Sequence, residues 1–163
     1  MKQKSRVMLD TNIYGFLVER GETAFLESLK KSKHVTVYGN KVIRDELRDT
    51  PKGRKFKGRS ARSLLINTYD FIVGRHNLNI LPVMRFLAEK YWDSYSGAQP
   101  YNKIINDFLI VACASFKGLD IVCTADNRTM KSKSCLRIYK AVNSKNDLPT
   151  PRFVEFNKFE TMV

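Results

Sequence analysis

The sequence has few of the residues that build disulfide or zinc sites. It contains three cysteines and two histidines among 163 residues, and no two of them stand at the spacing of metal ligands. An odd number of scattered cysteines, here Cys113, Cys123 and Cys135, is a poor basis for a disulfide framework. We therefore expect the cysteines to be small core or near-surface residues without redox or zinc chemistry.

Long apolar segments are also missing. No run approaches the roughly 20 residues that a membrane-spanning helix needs. The apolar stretch Val7-Met8-Leu9 is far shorter than the core of a signal peptide, and it ends at Asp10. The hydrophobic fraction of 43% is ordinary for a globular protein. We expect a single domain over residues 1–163, located in the cytoplasm and without a membrane partner.

Acidic residues are outnumbered, with 16 aspartates and glutamates against 29 lysines and arginines and a formal net charge of +13. Such an excess repels itself in the folded state, and a polyanionic partner relieves that repulsion. Nucleic acid is the polyanion that the composition favours, because lysine and arginine release counterions from phosphates. A generally basic proteome or a bias toward solubility is the alternative, and charge alone does not indicate any chemistry.

The spacing of apolar residues predicts alternating strands and helices. Strand-like runs at residues 6–9 and 35–38 are each followed by a segment with helical spacing. This alternation favours an α/β fold with a parallel sheet, whose sites form at the carboxyl ends of the strands. The predicted helices cover residues 11–17, 22–31, 42–48, 64–73, 83–92 and 102–116. A buried strand is predicted at 119–123, and closing strands are predicted at 136–142 and 152–156.

One strongly basic segment interrupts this pattern. Residues 51–63, PKGRKFKGRSARS, contain no acid, and two glycines favour a flexible inserted loop. Its cations can follow phosphates, and its aromatic ring can stack on a base of single-stranded RNA. A solvated loop without a ligand is the alternative. The candidate RNA-binding residues are Lys52, Arg54, Lys55, Phe56, Lys57, Arg59 and Arg62.

Four acidic residues stand where the fold alone does not require them. Asp10 ends the first strand, Asp126 follows the buried strand, and Glu46 and Asp107 lie among apolar residues of two predicted helices. Charges at such positions are costly unless they are paired or bind a metal. Carboxylates that gather at one sheet edge repel one another, and Mg²⁺ or Mn²⁺ is the cation that oxygen ligands favour. Together with the basic surface, this pattern favours metal-dependent phosphodiester hydrolysis.

Each of these acids also has a structural explanation. Asp10 can cap the helix that follows it, and Asp126 can form a turn. Asp107 can lie at the solvent edge of its helix, and Glu46 can pair with a neighbouring lysine or arginine. The joint placement of all four is what favours a shared site.

Three segments, in this order, resemble the motifs of PIN-domain nucleases. VMLDTNIY is similar to the opening strand of the family, and VTVYGNKVIRDEL is similar to the second strand and the helix after it. NDFLIVACASFKGLDIVCTAD resembles the stretch that holds the last two acids. The resemblance covers about residues 5–141, although residues 50–100 contribute almost nothing. It implies a three-layer α/β/α sandwich with a central, mainly parallel sheet.

The resemblance also implies an activity, a divalent-metal-dependent endoribonuclease that uses Mg²⁺ or Mn²⁺. The catalytic and metal-binding carboxylates would be Asp10, Glu46, Asp107 and Asp126, and the polar residues that support them would be Asn12 and Thr124. VapC-type toxins of toxin–antitoxin modules are common members, so RNA as substrate, a small antitoxin as partner and a homodimer are implied as well. The alternatives are an RNA-processing PIN endonuclease without an antitoxin and a non-catalytic RNA-binding module on the same fold.

A phosphatase that uses Asp10 as its nucleophile is disfavoured. The haloacid-dehalogenase pattern requires a second aspartate two residues later, where Asn12 stands. The chain also departs from the PIN pattern at Thr129-Met130, where family members often have an acid and a phenylalanine.

Overall fold

The computed structural model describes residues 3–163, and its centre is a parallel β-sheet. The strands in chain order are β1 (Ser5–Leu9), β2 (Val35–Asn40), β3 (Lys55–Phe56), β4 (Arg59–Ser60), β5 (Asn77–Leu78), β6 (Ile121–Cys123) and β7 (Arg152–Val154). Five of them form one sheet in the order β5-β2-β1-β6-β7, and every neighbouring pair is parallel. β1 is therefore the central strand, and the carboxyl ends of all five strands point to one edge.

Helices cover both faces of this sheet. They are α1 (Thr11–Arg20), α2 (Thr23–Lys31), α3 (Lys41–Arg48), α4 (Ala61–Val73), α5 (Pro82–Asp93), α6 (Tyr101–Phe116), α7 (Lys133–Lys145) and α8 (Phe156–Glu160). The predicted fold class, a three-layer α/β/α sandwich around a parallel sheet, is confirmed. No helix within residues 3–163 combines the length and the apolar character that crossing a bilayer requires.

The position of β1 and β6 in the core explains why their apolar residues are consecutive and do not alternate with polar ones. Val7, Met8 and Leu9 of β1 are buried, as are all three residues of β6. Strands of a parallel sheet are covered on both faces, so the side chains on either side of the strand need to be apolar. The three cysteines are free and buried, as the sequence predicts.

The prediction of a closing strand at residues 136–142 is wrong, because this segment belongs to α7. Its buried residues are Cys135, Tyr139, Val142 and Asn143, a spacing that fits one face of a helix. Ser132 caps the helix by accepting a hydrogen bond from the backbone N–H of Cys135 at 3.2 Å. The other closing strand is confirmed as β7, although it ends at residue 154 and α8 follows.

The basic segment 51–63 is not an irregular loop, because residues 55–60 form a β-hairpin and residues 61–63 begin α4. β3 and β4 pair antiparallel, with Phe56 opposite Arg59. The two connecting residues, Lys57 and Gly58, both have positive φ angles, of 48° and 77°, as a tight two-residue hairpin turn requires. The hairpin presents its charges from an ordered backbone, and α4 begins directly after it.

A close contact at the end of β2 requires a glycine. A Cβ atom on Gly39 would overlap the hydroxyl oxygen of Tyr69 and lie 2.5 Å from the ring carbon that carries it. The Tyr69 hydroxyl donates to the carbonyl of Asn40 at 3.1 Å and also contacts the side chain of Asn77. Tyr69 therefore ties α4 to β2 and β5 through a space that only glycine leaves open.

Candidate active site

The carboxyl ends of β1 and β6 lie side by side and place Asp10 next to Thr124. Leu9 pairs with Cys123, and the backbone N–H of Asp10 donates to the carbonyl of Cys123 at 2.9 Å. The Thr124 hydroxyl then donates to Oδ2 of Asp10 at 2.8 Å. The residue after β6 therefore fixes the orientation of the Asp10 carboxylate.

Asp10 is also the amino-terminal cap of α1, since its Oδ1 accepts a hydrogen bond from the backbone N–H of Thr11 at 2.7 Å. Its side chain is nevertheless buried, with 5% of the residue exposed. Burial raises the pKa of Asp10 to about 6, and the charges of Glu46 and Asp126 add to this effect against the two hydrogen bonds from Thr124 and Thr11. The capping role is real, but it does not remove the cost of the buried charge.

Two further residues of the predicted site lie at the start of α1 and on α3. The Thr11 hydroxyl donates to Oε2 of Glu46, so α1 and α3 are joined beside Asp10. Asn12 accepts a hydrogen bond from the backbone N–H of Ala125 at 3.3 Å. Asn12 thus connects the beginning of α1 to the loop that follows β6.

The remaining two acids share a hydroxyl. Oγ1 of Thr129 lies 3.2 Å from Oδ2 of Asp107 and also donates to Oδ2 of Asp126. The other oxygen of Asp126 accepts the backbone N–H groups of Arg128, at 3.0 Å, and Thr129, at 2.9 Å. Asp126 is therefore a turn former, as one alternative held, and it also contacts the hydroxyl that reaches Asp107.

Two aspartates of this group have opposite electrostatic environments. Burial raises the pKa of Asp107 to about 8, and the charges of Asp10 and Asp126 raise it further against one hydrogen bond from Thr129. At Asp126 burial acts in the same direction, but hydrogen bonds from Thr129 and from backbone N–H groups outweigh it and lower the pKa. The environment therefore favours the charged form of Asp126 and the protonated form of Asp107.

Within residues 3–163 the four acids are not neutralised by ion pairs. None of them forms an ion pair with a lysine or arginine in the part of the chain that the structure describes. Carboxylate oxygens are the ligands that Mg²⁺ and Mn²⁺ prefer, so the donor chemistry fits a divalent cation. Among residues 3–163, however, no three His, Cys, Asp or Glu side chains gather closely enough to hold an ion directly. Instead, the Thr11 hydroxyl donates to Glu46, and the Thr129 hydroxyl contacts Asp107 and Asp126.

The predicted RNA-binding residues fall into two groups. Lys52, Arg54, Lys55, Lys57 and Arg59, which we call the hairpin cations, are all exposed. Phe56 is half-buried, with the Lys57 amino group 5.5 Å from its ring centre. Arg62 is different, because it lies on α4 and its Nε donates to the carbonyl of Thr50 at 2.7 Å. Arg62 therefore anchors the base of the hairpin.

The sequence did not identify two of the residues that organise the acids, Thr11 and Thr129. Thr11 follows Asp10 directly, which is a signal that could have been used. Thr129 gave no such signal, because its contact with Asp107 joins residues 22 positions apart through the folding of α6 against the loop after β6.

Comparison with known proteins identifies the fold only. No family model and no curated protein matches this sequence. The structure is similar to a chain in the crystal structure of VapBC2 from Rickettsia felis bound to a DNA fragment from their promoter. The TM-score is 0.55 at 15% sequence identity, and the match covers 93% of this chain and 98% of that chain. The fold is therefore PIN-like over nearly its whole length.

Proposed function

We propose that the protein is a divalent-metal-dependent endoribonuclease of the PIN type. The observation that supports this proposal is that the charges of Asp10, Glu46, Asp107 and Asp126 influence one another and that none of the four forms an ion pair within residues 3–163. Neighbouring carboxylates of this kind are costly to ionise, because the charge of each raises the cost of ionising the next. Perturbed carboxyl groups at the ends of parallel strands are typical of catalytic sites.

The residues that would hold a metal are the four acids, with Asn12 and Thr124 as supports. When bound there, Mg²⁺ or Mn²⁺ would activate a water molecule and stabilise charge on a phosphodiester. The chain itself keeps Asp10 in a fixed orientation through Thr124 and the backbone of Thr11. Such hydrogen bonds from surrounding residues fix the direction in which a carboxylate oxygen points.

The hairpin cations supply the reason for a nucleic-acid substrate. They extend from an ordered backbone that begins after α3, the helix that carries Glu46, and they account for part of the net charge of +13. Lysine and arginine on such a surface bind the phosphate chain without regard to sequence. Phe56 among them supports single-stranded RNA, whose unstacked bases bind to aromatic rings.

The similarity to a chain of VapBC2 supports a role as the toxin of a toxin–antitoxin module. We propose on this basis that a small antitoxin protein binds the chain, and from the resemblance to the PIN family that two copies form a homodimer. An RNA-processing endonuclease without an antitoxin has the same site and would cut RNA in the same way. Co-purification with a small partner encoded beside the gene would separate these two roles.

A non-catalytic RNA-binding module is the second candidate. Two observations favour it. Threonine hydroxyls form hydrogen bonds with the carboxylates of Glu46, Asp107 and Asp126. Within residues 3–163, no three acidic side chains are close enough together to bind one ion. Such a protein would bind RNA through the hairpin cations and leave it intact.

The test is cleavage of end-labelled RNA, single-stranded and structured, in Mn²⁺, Mg²⁺ or EDTA. The wild type is compared with Asp10→Asn and with a matched control, Asp147→Asn. Asp147 is exposed, lies after α7 and before β7 begins, and has a positive φ of 54° that asparagine tolerates. We expect metal-dependent cuts by the wild type and by Asp147→Asn, and none by Asp10→Asn. Tight RNA binding without any cleavage would favour the binding module, and cleavage by Asp10→Asn at the wild-type rate would remove Asp10 from the mechanism.

A further inference from the structure

A groove adjoins the acid cluster and is separate from it. It has a volume of about 390 Å³ and lies between the exposed face of α1 and the basic hairpin. One end is formed by Thr11 and Asn12, the residues that contact Glu46 and the loop after β6. A chain that passes over the acids would therefore meet this groove next.

Two phenylalanines give the groove apolar walls. Phe16 of α1 is exposed to 39%, and Phe56 of the hairpin is half-buried. Arg54 and Lys55 lie on the same hairpin wall, and a single acid, Glu19, stands on the α1 wall. An apolar cleft bordered by cations suits a flat apolar group joined to a phosphate.

Gly15 lies in the α1 wall, between the two ends of the groove, and the fold does not explain it. It lies in the middle of α1, where glycine weakens a helix relative to alanine. A Cβ atom built on Gly15 meets nothing within 4 Å, so no neighbouring atom excludes a side chain there. Gly15 also lines the groove, so a larger side chain at this position would extend into free space beside it.

We propose that this groove is a subsite for one unpaired base of single-stranded RNA, next to the phosphate that the acids would act on. The base would lie between Phe16 and Phe56, and Arg54 and Lys55 would bind the neighbouring phosphates. Stacking between aromatic side chains tolerates every base, because every base has a π-face. The subsite thus selects an unstacked nucleotide rather than a sequence. The inference rests on the proposed function for its class of substrate.

The test fills the groove and leaves the phosphate contacts in place. Gly15→Leu projects a side chain into the groove, and Gly15→Ala is the matched control, since it removes the same glycine with little added volume. Two fluorescent probes of equal length are used, oligouridylate and a ribose-phosphate chain without bases, and their affinities are measured by anisotropy in EDTA. We expect the wild type and Gly15→Ala to prefer the probe with bases by about tenfold, the scale of one stacked base. Gly15→Leu should lose this preference and keep its affinity for the abasic chain.

The measurement requires no cleavage, so it separates this inference from the proposed activity. Loss of the base preference in Gly15→Leu supports the subsite even when the wild type cuts no RNA. An unchanged preference in Gly15→Leu, whose folding is verified by thermal unfolding, overturns the subsite even when the wild type is an active nuclease. A wild-type protein without any preference for the probe with bases overturns the subsite as well. The groove would then be a candidate binding site for a protein segment.

Discussion

Asp107 lies where a carboxylate weakens the fold, so replacing it with asparagine should stabilise the protein. Its pKa is about 8 in the folded chain against an ordinary value of 3.8, mainly because of burial. The folded state therefore holds the proton more tightly than the unfolded state does. The stability that the protonated group contributes is complete below about pH 4 and is lost progressively as the pH rises toward 8. Asparagine resembles the protonated carboxyl group and does not titrate, so it escapes this loss.

The size of the effect follows from the shift. Each pKa unit corresponds to about 1.4 kcal/mol, so a shift of about four units sets an upper bound near 6 kcal/mol at pH values above 8. Part of the shift comes from the charge of Asp10, and the side chain of Asp107 is not completely buried. We therefore expect Asp107→Asn to raise the free energy of unfolding by about 2 kcal/mol at pH 8, with almost no difference near pH 4.

Urea unfolding in EDTA at several pH values between 4 and 8 measures this difference. Asp126→Asn is the contrasting variant, because the pKa of Asp126 is lowered by hydrogen bonds that favour its charged form. Its contribution to stability is present above its ordinary pKa, so the substitution should destabilise the protein at pH 8. An Asp107→Asn variant that is less stable than the wild type at pH 8, or a difference that does not change with pH, would refute the reasoning. The Asp107→Asn variant should also have no RNA-cleaving activity.

Three further outcomes are expected. The affinity for Mn²⁺, measured by calorimetry, should rise between pH 6 and 8, since carboxyl protons must leave Asp10 and Asp107 before an ion binds, and a flat profile would contradict this. Changing all hairpin cations to glutamine should flatten the salt dependence of RNA binding by about 0.7 in log–log slope for each phosphate that the protein no longer neutralises, whereas an unchanged slope would make the hairpin plain surface. Gly39→Ala should lower the free energy of unfolding by about 2 to 3 kcal/mol because of its contact with Tyr69, whereas Gly53→Ala, which meets nothing within 4 Å, should leave it unchanged in the same urea assay.

The parts of the fold that the sequence predicted are those with a local signal. β1 and β6 contain short apolar runs, β2 begins with alternating buried residues, and Asp10 and Asp126 follow β1 and β6. The confusion of α7 with a strand has a physical cause, since apolar residues over so short a span fit either period. Ser132 as a cap and the buried spacing from Cys135 to Asn143 were the signals that distinguish a helix. The two-residue strand β5 has too few residues to show any pattern.

The candidate site could be predicted only in part, for a similar reason. The acids themselves are readable because charge is unusual in apolar surroundings. Their environment depends on contacts between distant segments, such as the hydroxyl of Thr129 beside Asp107. The groove beside Gly15 is likewise formed by α1 and the hairpin, and no local pattern in the sequence reports the space between them.

The order of strands in the sheet has a consequence for how the protein is synthesised. β1 is the first strand made, but its neighbour β6 begins only at residue 121, and the acids come from both halves of the chain. A nascent chain whose residues from 121 onward are still in the ribosome cannot bring Asp126 and Thr129 to Asp10 and Asp107. For an enzyme that attacks RNA, as we propose, this topology delays activity until the segment from β6 to Thr129 has also emerged and folded against β1.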